Sequence, residues 1–190
     1  MAYLTAQLIP FLWIVWAIYW KLAASGVKVA SRTESLAFRA MHIVPVSVAA
    51  LLLWLPTLPG GFLCGRILSS TQAVWWIGAL LTAAGLLFTV WARVYLGGNW
   101  SALVTLKENH ELIRGGPYRF VRHPVYAGLI VSFVGSAIAC GEWRGVLAVL
   151  LACGALWFKL RREECWLEEQ FGEAYRRYRN EVAALIPFVL

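Results

Sequence analysis

Long apolar runs alternate with short charged segments along the chain. Asp, Glu, Lys and Arg are absent from residues 1–20, 40–65, 67–92, 123–141 and 145–158, together 105 of 190 residues. A helix crosses about 30 Å of hydrocarbon with roughly 20 apolar residues. The pattern therefore predicts an all-α integral membrane protein with five transmembrane helices, near residues 4–20, 40–55, 74–91, 123–141 and 145–158. The last run rises only about 21 Å. Arg144 and Lys159 at its ends can snorkel to complete the span; a re-entrant hairpin is the alternative. The whole chain, 1–190, is expected to form a single membrane domain. Three N-terminal spans occupy 1–92, and 93–190 hold two spans with the polar segments.

Two segments break the apolar pattern. Residues 93–124 are polar, rich in Gly and mixed in charge. Residues 159–181 predict an amphipathic helix, because Leu167, Phe171, Ala174 and Tyr178 recur at i, i+4, i+7 and i+11. Only residues 141–144 separate the fourth and fifth spans, so these spans should form a tight antiparallel hairpin. That hairpin brings Arg122-His123-Pro124 beside residues 159–164.

Composition sharpens the class. The chain is 61% hydrophobic and 14% charged, against roughly 45–50% and about 25% in soluble domains. An ordinary soluble domain and a disordered chain are both excluded. The net charge of +7 does not require nucleic acid. With five spans, 15 of the 17 basic residues fall on one side, leaving Arg66 and Arg144 on the other. The positive-inside rule then puts the N-terminus outside and the C-terminus in the cytoplasm, with the cell inner membrane as the expected location. The first helix lacks a basic n-region and is read as a retained span. Many of the eleven Trp, including Trp13, Trp16 and Trp20, lie near predicted span ends, as in an interfacial belt. Cys64, Cys140, Cys153 and Cys165 have no metal-ligand spacing. Cys64 and Cys140 fall near the outer loops, where a disulfide or two free thiols are both conceivable. His42, His110 and His123 show no zinc spacing, and no metal is expected.

Two clusters can carry chemistry. His123-Pro124 suits a helix entrance, with Pro in the first turn and Arg122 at headgroup level. Glu163-Glu164 suits a helix start on dipole grounds. The preceding span runs directly into this segment, however, so no free helix N-terminus is expected there. Adjacent carboxylates at the membrane boundary then need partners and mark a functional site. Lys159, Arg161, Arg162 or a bound cation can supply them.

The stretch His110-Glu111-Leu112-Ile113, the tyrosine in Gly116-Pro117-Tyr118, and Arg122-His123-Pro124-Val125-Tyr126-Ala127-Gly128 stand in fixed order. Glu163-Glu164 follows about 40 residues on. Phe171-Gly172-Glu173-Ala174-Tyr175-Arg176-Arg177-Tyr178 and Ile186-Pro187 close the series. This series resembles the signature of the isoprenylcysteine carboxyl methyltransferase family and its bacterial and archaeal relatives, over roughly residues 97–188. The resemblance implies a membrane methyltransferase with S-adenosylmethionine as cofactor. It further implies a cofactor pocket enclosed by cytoplasmic segments, and a lipophilic or lipidated acceptor that enters from the bilayer. The cofactor contacts it implies are His110, Glu111, Leu112, Ile113, Tyr118, His123, Pro124, Val125, Tyr126 and Glu163. Lys159 stands where the family's eukaryotic members place a substrate-contacting Arg. Lys offers a point charge in place of a planar fork. Catalytic candidates are thus Lys159, Glu163 and His123. The chemistry is compatible, because methyl transfer from a sulfonium needs alignment and exclusion of water rather than a covalent nucleophile.

Two other readings stay open. Membrane sterol reductases, which use NADPH, share a similar Arg-His-Pro-x-Tyr element. A non-enzymatic haem or ion-handling subunit would use His42 as a ligand inside the second span.

Overall fold

The protein is described by a computed structural model over residues 2–24, 30–55, 61–97, 105–107 and 112–187. The five apolar runs all become helices: α1 (Ala2–Leu22), α2 (Leu36–Trp54), α3 (Gln72–Leu96), α4 (Pro124–Cys140) and α5 (Trp143–Phe171). A shorter helix, α6 (Glu173–Glu181), follows. Local signals set the boundaries. The Ser35 hydroxyl accepts the Phe38 N–H at the start of α2, and the Thr71 hydroxyl accepts the Val74 N–H at the start of α3, as expected for N-caps. Pro124 opens α4 where its missing N–H costs nothing, and left-handed Gly141 (φ 67°) closes it.

Helices α2, α3 and α5 are long and apolar enough to cross a membrane, while Gln7–Leu22 and Pro124–Cys140 are shorter apolar helices. Large apolar side chains face outward all along the bundle, among them Phe11, Ile18, Leu51, Leu80, Leu87 and Leu150. Patches of that extent are rare on soluble monomers.

As expected, the fifth apolar run passes directly into the charged segment, and α5 continues for 29 residues to Phe171. Three features differ from the sequence-based expectation. Gly172 (φ 51°) then breaks the predicted amphipathic helix into the end of α5 and α6. Ala174 is consequently exposed, and Trp166, Tyr175 and Tyr178 are the buried side chains. The all-α expectation also omits a small antiparallel pairing between β1 (Ala30–Thr33) and β2 (Thr105–Lys107). Finally, Trp13 and Trp16 lie mid-helix and bond into the bundle. Trp13 Nε1 donates to Ser136 Oγ (3.0 Å) and Trp16 Nε1 to Thr89 Oγ1 (2.7 Å). Cys64 and Cys140 are free thiols.

Helices α3 and α4 meet along small residues. A Cβ at Gly85 would lie 2.5 Å from the Gly128 carbonyl, and one at Gly135 would lie 2.5 Å from the Thr82 nitrogen. Buried hydroxyls of Thr82, Ser132 and Ser136 line this seam, with Thr82 Oγ1 and Ser136 Oγ 3.2 Å apart. Small residues that admit close backbone approach are the usual means of helix association in lipid. On the other side α2 packs on α5, with Phe38 stacked on Phe158 at 4.7 Å between ring centroids. Helices α4 and α5 form the expected hairpin, with two residues between them. The C-terminal segment returns to the start of α4, where the Arg122 and His123 N–H groups donate to the carbonyls of Ala183 (2.8 Å) and Ala184 (3.0 Å).

Candidate active site

The hairpin and the returning C-terminus assemble a charged cluster where α4 begins and the apolar part of α5 ends. His123 precedes the first turn of α4, so its ring projects toward the α5 glutamates. His123 Nδ1 lies 3.6 Å from Glu163 Oε2, and Nε2 lies 3.4 Å from Glu164 Oε1. Burial disfavours the imidazolium, but the two glutamates facing the ring outweigh it and raise the His123 pKa above its ordinary value. Three residues on, Tyr126 donates its hydroxyl to Glu163 Oε1 at 2.5 Å. The His123 and Tyr126 rings are parallel to within 2°, with centroids 5.5 Å apart. Lys159, one helical turn before Glu163 and within electrostatic reach of it, holds Nζ 5.4 Å over the Tyr126 ring.

Glu164 is braced separately. Arg122 donates to its Oε1 through Nε (2.9 Å) and Nη2 (2.6 Å), and Tyr175 donates to the same oxygen at 3.4 Å. Arg122 also donates to the carbonyls of Arg179 (3.0 Å) and Val182. The Tyr178 hydroxyl donates to the Tyr118 carbonyl at 2.5 Å, which ties α6 to the turn Gly116–Arg119. Burial, with the Glu163 charge next, pushes the Tyr118 hydroxyl well above the ordinary tyrosine range. Burial likewise raises Tyr178 to about 12. Both phenols therefore stay protonated at neutral pH. The space a side chain would need at Gly116 is filled by the Tyr95 ring, 2.5 Å from a Cβ placed there.

Of the residues singled out from sequence, His123, Tyr126, Lys159 and Glu163 come together directly. Tyr118 faces the same charge. Pro124 is buried in the first turn of α4, and Val125 packs against the buried group of Tyr126, Leu156, Leu160 and Ala184. Leu112 and Ile113 are half-buried on the approach to the Gly116–Arg119 turn. His110 and Glu111 lie outside the described residues.

Sequence reasoning missed three contributors. Arg122, taken for a headgroup anchor, clamps Glu164. Tyr175 completes that clamp. The third is Glu34, whose carboxylate is fully buried 3.6 Å from His42 Nε2 and 3.9 Å from Arg39 Nε. Glu34 and His42 are within electrostatic reach of Tyr126 and of Lys159 and Glu163, respectively. A signal existed, because Glu34 is the only acidic residue in the first 107 positions. Among the described residues no three His, Cys, Asp or Glu side chains are grouped to hold a metal ion.

Known proteins carry related sequences. Over 104 residues the chain is 33% identical to the protein-S-isoprenylcysteine O-methyltransferase of Schizosaccharomyces pombe, covering 52% of this chain and 43% of that protein. Over 121 residues it is 28% identical to protein-S-isoprenylcysteine O-methyltransferase A of Arabidopsis thaliana, covering 60% and 61%. Over 113 residues it is 28% identical to the steroid 5-alpha-reductase DET2 of Solanum lycopersicum, covering 60% and 41%. The chain spans less than two thirds of the length of each of these relatives. The family profile for phospholipid methyltransferases matches residues 73–174, which hold α3, α4 and α5 with His123, Tyr126, Glu163 and Glu164, and the chain belongs to that family.

Proposed function

We propose that this protein is an integral-membrane methyltransferase that uses S-adenosylmethionine to methylate a lipophilic acceptor at the cytoplasmic face. The acceptor class is an isoprenylcysteine carboxylate or a related lipid oxygen or nitrogen. One observation carries the reading: the Glu163 carboxylate accepts from Tyr126 at 2.5 Å and faces His123 at 3.6 Å, where the apolar part of α5 meets the start of α4. Family membership and two relatives named isoprenylcysteine methyltransferases support it.

The chemistry of the donor set fits the cofactor. Bound S-adenosylmethionine supplies an electrophilic methyl group on a cationic sulfur. A buried carboxylate at Glu163 suits its ammonium or ribose hydroxyls, and the face of the Tyr126 ring suits positive charge. Tyr118, Leu112, Ile113, Pro124 and Val125, with His110 and Glu111, complete the proposed cofactor contacts. The protein's own work is positional. Tyr126 and His123 fix the Glu163 carboxylate, Arg122 and Tyr175 lock the neighbouring Glu164, and Lys159 orients the acceptor's head. The bundle keeps water from the reacting atoms.

In this reading all five apolar helices span the bilayer as one domain, with the cofactor pocket on the cytoplasmic side. The N-terminus is outside and the C-terminus in the cytoplasm, on the 15:2 basic asymmetry. The relative named steroid 5-alpha-reductase favours a second reading, reduction by NADPH. One experiment separates the two. The purified protein is reconstituted with membrane lipid extract and given radiolabelled S-adenosylmethionine, or NADPH with an isoprenoid enone. Label entering the lipid fraction with NADPH unconsumed is the expected result. NADPH consumption without lipid labelling would replace the methyltransferase reading by the reductase one.

A further inference from the structure

The charged cluster has a second wall, built by the start of α2 and the residues just before it. His42 Nδ1 lies 3.0 Å from the Phe38 carbonyl oxygen. A carbonyl only accepts, so Nδ1 must carry the proton. In the neutral ring Nε2 then bears a lone pair, and among the described residues it has no hydrogen-bond partner. Glu34 Oε1 stands 3.6 Å from that nitrogen. Phe38, which fixes the ring through its carbonyl, is itself fixed by stacking on Phe158, the residue before Lys159. His42 is buried, yet its neighbours Met41, Ile43 and Val44 are exposed apolar side chains on a membrane-crossing helix. The groups facing His42 are Glu34 and Arg39 from its own side and Lys159 and Glu163 from α5.

We propose that His42 is the base that takes the acceptor's proton, and that the acceptor is a lipid carrying a phenolic hydroxyl rather than a carboxylate. This rests on the methyltransferase reading. A carboxylate needs no base, so an oriented, proton-ready imidazole facing a buried carboxylate would be idle in carboxyl methylation. Charge points the same way. Near His42, Lys159 is within electrostatic reach of Glu163 and Arg39 stands 3.9 Å from Glu34, so an anionic acceptor would meet two carboxylates as well as these cations. A phenol is a far weaker acid than an imidazolium, so the transfer must accompany attack. The O–H bond breaks, its proton moves to His42 Nε2, and its electron pair stays on oxygen. An oxygen lone pair bonds the methyl carbon as the carbon–sulfur bond of the sulfonium donor breaks, its pair leaving on sulfur. The products are a methyl ether, a neutral thioether and an imidazolium that Glu34 stabilises until water takes the proton.

The test uses the full chain in lipid nanodiscs, as wild type and His42→Asn. Asn keeps an N–H for the Phe38 carbonyl and removes the basic nitrogen. Three acceptors are offered: a farnesylated phenol, N-acetyl-S-farnesylcysteine and phosphatidylethanolamine. Wild type should methylate the phenol fastest, with a rate that rises as the imidazole deprotonates. His42→Asn should lower that rate about 100-fold or more and remove the pH limb. It should leave S-adenosylhomocysteine affinity and thermal stability within about twofold of wild type. A nitro-substituted, more acidic farnesylated phenol should recover most of the lost rate in His42→Asn. Without any donor, nitrogen NMR of histidine-labelled protein should show His42 protonated at Nδ1 and bare at Nε2. Preference for the carboxylate or the amine, an unchanged rate in His42→Asn, or a proton on Nε2 alone would overturn the proposal while leaving methyl transfer intact. A wild type that binds no S-adenosylhomocysteine and labels none of the acceptors would overturn both.

Discussion

His123 has a carboxylate facing each ring nitrogen, at 3.6 and 3.4 Å. Its pKa in the folded protein is raised, as carboxylate partners prevail over burial. A group whose folded pKa exceeds its unfolded value near 6.5 contributes stability fully below that value and loses it as pH rises through the folded pKa. Thermal stability in detergent should therefore fall as pH is raised from 6.5, and His123→Asn should flatten that dependence. A wild-type midpoint that climbs with pH over this interval would show that His123 is neutral in the fold. At this scale much of the site was legible in the sequence, because His123, Tyr126 and Glu163 stand at fixed spacings and the short hairpin forces them together. Arg122 and Glu34 were not. Their roles depend on tertiary neighbours, a C-terminal segment about 60 positions away for Arg122 and the packing of α2 on α5 for Glu34.

Among the elements, the α3–α4 seam depends most on residue size. A Cβ at Gly135 would sit 2.5 Å from the Thr82 nitrogen, whereas one at Gly154 would meet nothing within 4 Å. Gly135→Ala should cost about 1–3 kcal/mol by overpacking and lower the thermal midpoint. Gly154→Ala on α5 should be neutral or slightly stabilising, since Ala is the better helix former. Equal midpoints for the two variants would mean that the seam opens freely. The apolar runs located every membrane-length helix because hydrocarbon demands continuous apolar sequence. The seam itself was hidden, since a glycine in an apolar run looks like any other small residue. The continuity of α5 was legible, since the fifth apolar run passes directly into the charged segment. A run of charge ends an apolar stretch but not a helix, and Leu160-Arg161-Arg162-Glu163-Glu164 are all good helix formers. The β1–β2 pairing joins segments more than 70 positions apart, beyond the reach of local pattern.

Across the whole molecule, Arg66, Glu142 and Arg144 pair at the turn between α4 and α5, and the candidate chemistry gathers at the opposite end of the bundle. The start of α2, the start of α4, the end of the apolar part of α5 and α6 all contribute to it, while outward-facing apolar residues clothe the shaft. The proposed reaction needs this arrangement, in which a polar cofactor arrives from water and an apolar acceptor arrives from lipid. Calorimetric titration of S-adenosylhomocysteine into the detergent-purified full chain probes the cofactor half of that arrangement. Loss of one charge-assisted hydrogen bond costs about 1.5–3 kcal/mol, so Glu163→Gln should weaken binding roughly 10- to 150-fold. Glu168→Gln, whose carboxylate pairs at the surface with Arg176 (2.8 Å) and Arg179 (3.0 Å), should stay within about twofold of wild type. No binding to wild type, or equal losses in both variants, would contradict a cofactor site at Glu163.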